Sequence, residues 1–443
     1  MDEESGSGRL GTPTRQLNDY EIRVRSLSDR LVAAQRPLRI LDAVKWDHAF
    51  ERAFFAAGCR EQPPVTRAYY EARPLSFNPV DKTEEFAALE RDIRRQLGAL
   101  DAPGRLMSRM CREYCDVIHM LTLRGTPEFS RWAARLYGTT QDIRGRTNQK
   151  LEGRKRFASP EPSLRIWSAP SDCRRHSTEK TLNAQEAVDT LAARLQTYFH
   201  SSVRVRVQLS DGIIADAAAG CDYIKIRGSA RFTPREVRLL EVHEGWVHLG
   251  TTLNGHSQPV CTFLSKGPPS STVTQEGLAV LTEFAAAASF PARVRRLTDR
   301  VHAIALAENG ADFREVYRFF EQQGYEYRDS YKQATRIFRG SLPDGCGPFT
   351  KDLSYWKGYL ELCEFCRRAY HDKQTKKLPL LFCGKTNLAD MPALEELVEQ
   401  RLVAPPRFLP PPFADSKAIK RWIGDLDEVA EPTASKPSRR ARA

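Results

Sequence analysis

His243 and His248 stand five residues apart inside one predicted helix, and no other feature of the sequence restricts its folding as tightly. The helix begins at Thr233-Pro234-Arg235-Glu236, which supplies an N-cap hydroxyl, a proline at the first helical position and a glutamate at the third. It continues through VRLLEVHEGWVHLGTTLNG, so both histidines lie at least two turns in. At about 100° per residue, side chains five apart point about 140° away from each other, whereas a four-residue step separates them by only about 40°. A regular α-helix therefore keeps these imidazoles apart. One π-type turn, at about 4.4 residues per turn, narrows the angle to roughly 50°, and Gly245 is placed to ease that distortion. The alternative is two unconnected histidines on an apolar helix.

A second segment favours convergence. SSTVTQEGLAVLTEF opens with Thr272 and Gln275 in the capping-box relation and continues as an apolar helix, which predicts Glu276 in the first turn or just beyond it. Glu276 follows His248 by 28 residues across the Gly/Pro loop NGHSQPVCTFLSKGPPSS, enough chain to fold the second helix back on the first. Two histidines and one glutamate from two helices, with a fourth position free for water, form the ligand set of catalytic zinc peptidases. HExxxH is then the HExxH signature lengthened by one, with Glu244 as the glutamate that activates water. Taken alone, Glu276 also reads as a helix-start carboxylate favoured by the macrodipole.

With 443 residues, the chain is long enough for two to three domains or one elaborated domain. Residues 1–18 and 427–443 are polar or basic without apolar spacing and are predicted to be disordered tails. Residues 19–160 read as a helical N-terminal region, from periodic sets such as Val24, Leu27 and Leu31, or Phe86, Leu89 and Ile93. The junction is the polar stretch from about Thr147 to Arg175. Residues 161–426 carry the motifs: a helix at about Thr181 to Phe199, a strand in VRVRVQL with Val203, Val205, Val207 and Leu209 on one side, weaker strands in IIADAAAG and CDYIKI, and then mostly helix, interrupted by LPPPF at 409–413.

Lys and Arg number 68 against 56 Asp and Glu, a net charge of +12 that favours acidic partners. Much of that charge lies on helix faces (Arg91, Arg94, Arg95, Arg105, Arg109, Arg112) and reads as solvated surface. No helix-turn-helix or other DNA-reading element is recognisable, so nucleic acid is disfavoured. GxxxxGK[ST] does not occur, and the GxGxxG match GSGRLG at 6–11 lies in the polar N-terminal stretch with no predicted strand before it, so it is not read as a phosphate loop. No run approaches the roughly 18 apolar residues of a membrane span, and ten sparse cysteines imply reduced thiols, so the expectation is a cytoplasmic protein without a membrane partner. The CxxC of Cys363 and Cys366, and Cys111 with Cys115, read as packing.

HEGWVHLGTTLNG followed by TQEGLAVL, and later RIFRG with FTKDLSYWKGYLE, resembles the QEGLA-motif family over about residues 20–425. Its bacterial members are labelled flavohemoglobin expression-modulating proteins; its eukaryotic relatives are microtubule-associated tyrosine carboxypeptidases, which remove the terminal tyrosine of α-tubulin. The resemblance implies that His243, His248 and Glu276 bind Zn2+ and that Glu244 is the general base. It also implies an α+β, mostly helical, zincin-like fold with the HExxxH helix beside a small sheet, preceded by the helical region. The implied activity is a zinc carboxypeptidase that removes a terminal residue, Tyr or another aromatic, from a peptide or acidic protein tail. Such an enzyme must hold a terminal carboxylate and stabilise an oxyanion; Arg336, Arg339 and Lys351 are candidates for the first task and Tyr355 for the second. His256 is a further cleft candidate, or a loop histidine without a role. Two other classes stay open: a non-enzymatic regulator binding DNA or acidic protein, and a metal-bearing pseudoenzyme, against which the presence of Glu244 weighs.

Overall fold

The computed structural model describes residues 16–143, 181–200, 203–213 and 215–430, except for the side chains of 425–430. The junction from Thr147 to Arg175 lies outside the described residues, as do the predicted tails apart from 16–18 and 427–430. The described chain is mostly helical with one small sheet. On the N-terminal side, α1 (Asp19–Gln35), α2 (Pro79–Leu97), α3 (Ala102–Thr122) and α4 (Pro127–Tyr137) are joined by shorter helices. Their starts follow local chemistry: Asn18 and Glu21 form a capping box on α1, and Asn78 accepts from Val80 and Asp81 ahead of Pro79 on α2.

After the undescribed stretch, α5 (Ala184–Phe199) is capped by Asn183 and Glu186. The sheet follows, with β1 (Arg206–Ser210), β2 (Ala217–Ala219) and β3 (Tyr223–Arg227) in the order β1-β3-β2. β1 runs parallel to β3 with Leu209 opposite Ile226, and β2 runs antiparallel with Ala219 opposite Ile224. The strand predicted in VRVRVQL is shorter than its alternation suggests: pairing starts at Arg206, and Leu209 is 45% exposed on β1, an outer strand of the sheet. Ile224 and Ile226 of the central strand are fully buried.

Then come α6 (Pro234–Leu240), a π-helix (Glu241–Leu249), α7 (Gly250–His256), α8 (Pro269–Ala285), α9 (Pro291–Glu308), α10 (Tyr327–Phe338), α11 (Leu353–His371) and α12 (Ser416–Ala430). α12 runs through 427–430, so the first four residues of the predicted C-terminal tail are helical. Helices from both sides of the undescribed junction share one core, in which Leu27, Phe86 and Met110 join Val247, Leu278 and Trp356. A smaller core packs Leu191, Leu195 and Phe199 of α5 on Ile224, Ile226, Val237 and Leu249. The π-helix is the seam between them, with Val247 in one core and Leu249 in the other. No helix among the described residues is long and apolar enough to cross a membrane. None of the nine described cysteines forms a disulfide; Cys111 and Cys366 are buried, and Cys115 and Cys363 pack partly buried against the core.

Candidate active site

Thr233 Oγ1 accepts from the Glu236 amide at 3.0 Å while Glu236 accepts from the Thr233 amide at 2.8 Å, so α6 starts where the sequence places it. After seven α-helical residues the backbone widens into the π-helix, nine residues rather than a single turn. The wider turn brings the His243 and His248 rings to 4.7 Å, perpendicular to each other. At its far end, side chains cap the carbonyls: Thr251 Oγ1 donates to Val247 O at 2.6 Å and Thr252 Oγ1 to His248 O at 2.8 Å. Gly245 has a different reason from the one the sequence suggests. A Cβ there would fall inside the Leu195 side chain, so the glycine admits α5 against the widened helix.

The start of α8 also differs from expectation. Pro269 takes the first helical position and no side-chain cap forms, so Thr272 and Gln275 are not a capping box and Glu276 closes the second turn. Its placement is therefore owed to tertiary packing. A Cβ on Gly277 would lie 2.5 Å from Gly358 Cα, and one on Gly358 would collide with the Val273 carbonyl, so α8 and α11 meet backbone to backbone. This crossing explains the glycines of QEGLA and KGYLE together, and it presses Glu276 toward the π-helix.

Glu276 Oε2 lies 3.3 Å from His248 Nε2 and 3.5 Å from His243 Nε2. One atom from each of the three residues lies within 4.8 Å of the others. Behind His243, Nδ1 is 2.6 Å from Glu283 Oε1, and Arg293 Nη2 donates to the same oxygen at 3.0 Å. Nδ1 thereby holds a proton against a carboxylate, and Nε2 faces Glu276. Burial disfavours charge on both imidazoles. In His243 the Glu276 and Glu283 carboxylates outweigh it and push the pKa up to about 10, whereas in His248 burial prevails and the pKa falls. Burial would likewise raise the Glu276 carboxyl, but Lys351 and the two histidines hold it well below the carboxylate range.

A cavity of about 170 Å³ reaches this cluster at His243, and Glu244, Tyr355, Arg293, Arg300 and Arg336 also line it, whereas His248 and Glu276 do not. Glu244 Oε2 accepts from the Ala219 amide on the outer edge of β2 at 2.9 Å, which aims the carboxylate along the cavity wall. The Tyr355 ring lies 6.1 Å from the His243 ring and nearly parallel to it. A larger space of about 680 Å³ adjoins it, with Lys332 lining both.

The anticipated cations divide. Arg336 lines the cavity, with Nε and Nη2 on Asp352 at 2.6 and 2.9 Å. Arg339 is buried behind it, 4.0 Å from Asp352, and Lys351 donates to Glu276 Oε1 at 3.1 Å; neither lines the cavity. His256 is exposed at the end of α7, outside the cavity lining. The sequence reading missed Arg293, Arg296 and Arg300, which all line the cavity from α9. Their spacing of three and then four residues on one helix was the available signal. Arg300 donates to Gln333 Oε1 at 2.8 Å and lies 3.7 Å from Asp352. Burial and the neighbouring Arg336 push its pKa down to about 9, the mark of a pocket short of negative charge. Glu283 was also missed, although it follows Glu276 by seven residues and so shares its helix face.

A search of curated proteins finds no match. A family's sequence profile does match, over residues 52–431, and its description is microtubule-associated tyrosine carboxypeptidase. That span is well over half of the 443 residues and contains every residue of the cluster and the cavity. With the paired histidines, Glu276 and Glu244 inside the matched region, the chain belongs to the microtubule-associated tyrosine carboxypeptidase family.

Proposed function

We propose that this protein is a zinc-dependent carboxypeptidase that hydrolyses the last peptide bond of a protein or peptide tail, with a terminal tyrosine or other aromatic residue as the leaving group. The observation that carries this reading is the convergence of His243, His248 and Glu276, with His243 and Glu244 lining one cavity beside them. The donor set fits zinc. Tetrahedral bonds of about 2.0–2.1 Å separate neighbouring ligand atoms by roughly 3.3–3.4 Å, and Glu276 Oε2 stands 3.3 and 3.5 Å from the two imidazole nitrogens. The Glu283–His243 pair is the outer-shell carboxylate that zinc-binding histidines use to fix their tautomer. Zinc bound there supplies Lewis acidity toward the scissile carbonyl and lowers the pKa of water towards about 7.

The remaining work falls to side chains. Glu244, steadied by the Ala219 amide, takes the proton from the attacking water and delivers it to the leaving amine. Arg300, Arg296 and the free edge of the Arg336 guanidinium receive the terminal carboxylate, while Arg339 and Lys351 support Asp352 and Glu276 from behind. Tyr355, at the cavity wall, stabilises the oxyanion. The family's description joins tyrosine to microtubules, which makes an acidic, tubulin-like tail the first substrate to test; the net charge of +12 suits it.

Peptides ending in Glu-Tyr or Glu-Phe, with a free or an amidated C-terminus, test this reading when release of the last residue is followed by mass. A charge-assisted pair to a carboxylate contributes about 1.5–3 kcal/mol, so the free acid should be preferred by about ten- to a hundredfold. Arg300→Ala should remove most of that preference. Internal cleavage of both forms at similar rates would discard the carboxylate pocket.

A further inference from the structure

Among the described residues, Lys385 stands beside the cluster with its ammonium held by partners that are not carboxylates. It lies in the loop after the 3-10 segment Thr375–Phe382 and comes from outside both ligand-bearing helices. Its amide donates to Leu264 O at 2.6 Å, an approach open because a Cβ on the preceding Gly384 would press into that same carbonyl. The side chain then reaches between the π-helix and α8. Nζ lies 2.8 Å from His248 O, 3.0 Å from Thr251 Oγ1 and 3.2 Å from Gln275 Oε1. Burial pushes its pKa down to about 7, and in the charged form its three protons meet three acceptors.

Those acceptors belong to the metal-ligand set. His248 O is the backbone of one ligand, and Gln275 directly precedes the ligand Glu276. Thr251 Oγ1 lies 2.6 Å from Val247 O and 2.8 Å from Gln275 Oε1, yet a hydroxyl has a single proton. With that proton on the shorter contact, Thr251 Oγ1 and Gln275 Oε1 face each other as two oxygen acceptors. Without a donor shared between them they repel, and α8 is pushed off the π-helix at the very turn that carries Glu276. Gln275 Nε2 donates in return to Gly384 O at 3.3 Å, so the loop and the helix grip each other from both sides.

We propose that Lys385 is a positioning residue that sets the spacing between His248 and Glu276 through His248 O, Thr251 and Gln275. The inference rests on the zinc reading above. Lys385→Met keeps the length of the stem and removes all three donors. Zinc affinity of the purified full-length chain, measured by competition with a chelator of known strength, should fall by about ten- to a hundredfold. Gln275→Leu should move it in the same direction, and the double variant should lose little more than Lys385→Met alone, because both changes break one network.

A merely structural role predicts a different pattern. Phe54→Leu, in the aromatic cluster with Phe313, Tyr317 and Tyr331, lowers the thermal midpoint of the metal-free protein away from the site and should leave zinc affinity unchanged. If Lys385→Met loses thermal stability as Phe54→Leu does but holds zinc within twofold of wild type, the proposal is overturned. If Lys385→Met does not fold, unchanged affinity in Gln275→Leu overturns it instead. Wild-type protein that takes up no stoichiometric zinc would refute the zinc reading itself, and that result is separable because it needs no variant.

Discussion

Gly277→Ala asks how tightly the crossing of α8 and α11 controls the site. The added Cβ would lie 2.1 Å from the Gly358 carbonyl carbon and 2.5 Å from its Cα, against 3.4 Å or more for an ordinary contact, and the obstacle is backbone rather than a flexible side chain. One helix must therefore retreat by roughly 1.3 Å or more before the methyl fits. Overpacking of this kind costs about 1–3 kcal/mol in a well-packed core. The second consequence is larger in effect. Glu276 is the neighbour of Gly277, and a retreat of that size carries Oε2 away from nitrogens it now approaches to 3.3 and 3.5 Å. Metal sites tolerate about 0.2 Å in ligand distance, so the expected result is a fall in zinc affinity of at least tenfold. Calorimetry of the metal-free protein measures the first effect and chelator competition the second. Gly358→Ala, which intrudes from the opposite helix, should reproduce both. A Gly277→Ala protein with wild-type melting and wild-type zinc affinity would refute the claim that this crossing places the ligand.

Two further outcomes follow from the site. Glu244→Gln should retain zinc and fold while losing nearly all hydrolysis, since the amide cannot accept a proton, whereas Glu276→Gln should weaken zinc binding; equal zinc loss in both, by metal analysis, would mean that base and ligand are misassigned. Burial opposes the charge on Asp352, but Arg336, Arg300 and Arg339 hold its carboxyl well below the usual range, so it stabilises the fold above about pH 4 and that contribution is lost as pH falls through the folded value. Asp352→Asn should flatten this acid limb in a pH series of unfolding midpoints and lower stability near neutrality by about 3–5 kcal/mol, because the buried arginines lose their counter-charge; an unchanged acid limb would show that the cluster does not govern it.

What could be read in advance followed the range of the physics involved. The cap at Thr233 and the need for a π-type turn are local matters of phase, so Thr233, Glu236, His243 and His248 announced them. The start of α8 differs because a Thr-x-x-Gln pattern and a proline compete, and the proline fixes the first turn four residues earlier. Gly245 and Gly277 could be noticed but not explained, since their reasons are Leu195 and Gly358, far away in the chain. Lys385 gave no signal at all. A lysine in a loop is ordinary until the fold sets three acceptors around it.

The nine-residue π-helix has a consequence for how such a site can change over time. Substitution alters side chains but not phase: a histidine four residues after His243 would replace Val247, which is fully buried in the core, so His248 itself comes to the spacing of an ordinary helix only by a change of length. That takes deletion of a residue between His243 and His248, and the deletion turns everything beyond it by about 100°. Asn254 stands in the rotated part, buried, with its amide on Phe382 O and Phe408 O at 2.8 and 2.7 Å and its carbonyl on the amides of Arg407 and Phe408. All four bonds would be lost in the same step as the spacing was gained. The widened helix is thus reachable from its regular counterpart only by a jump, and a lineage that has made the jump is held there by the contacts that grew around the new phase.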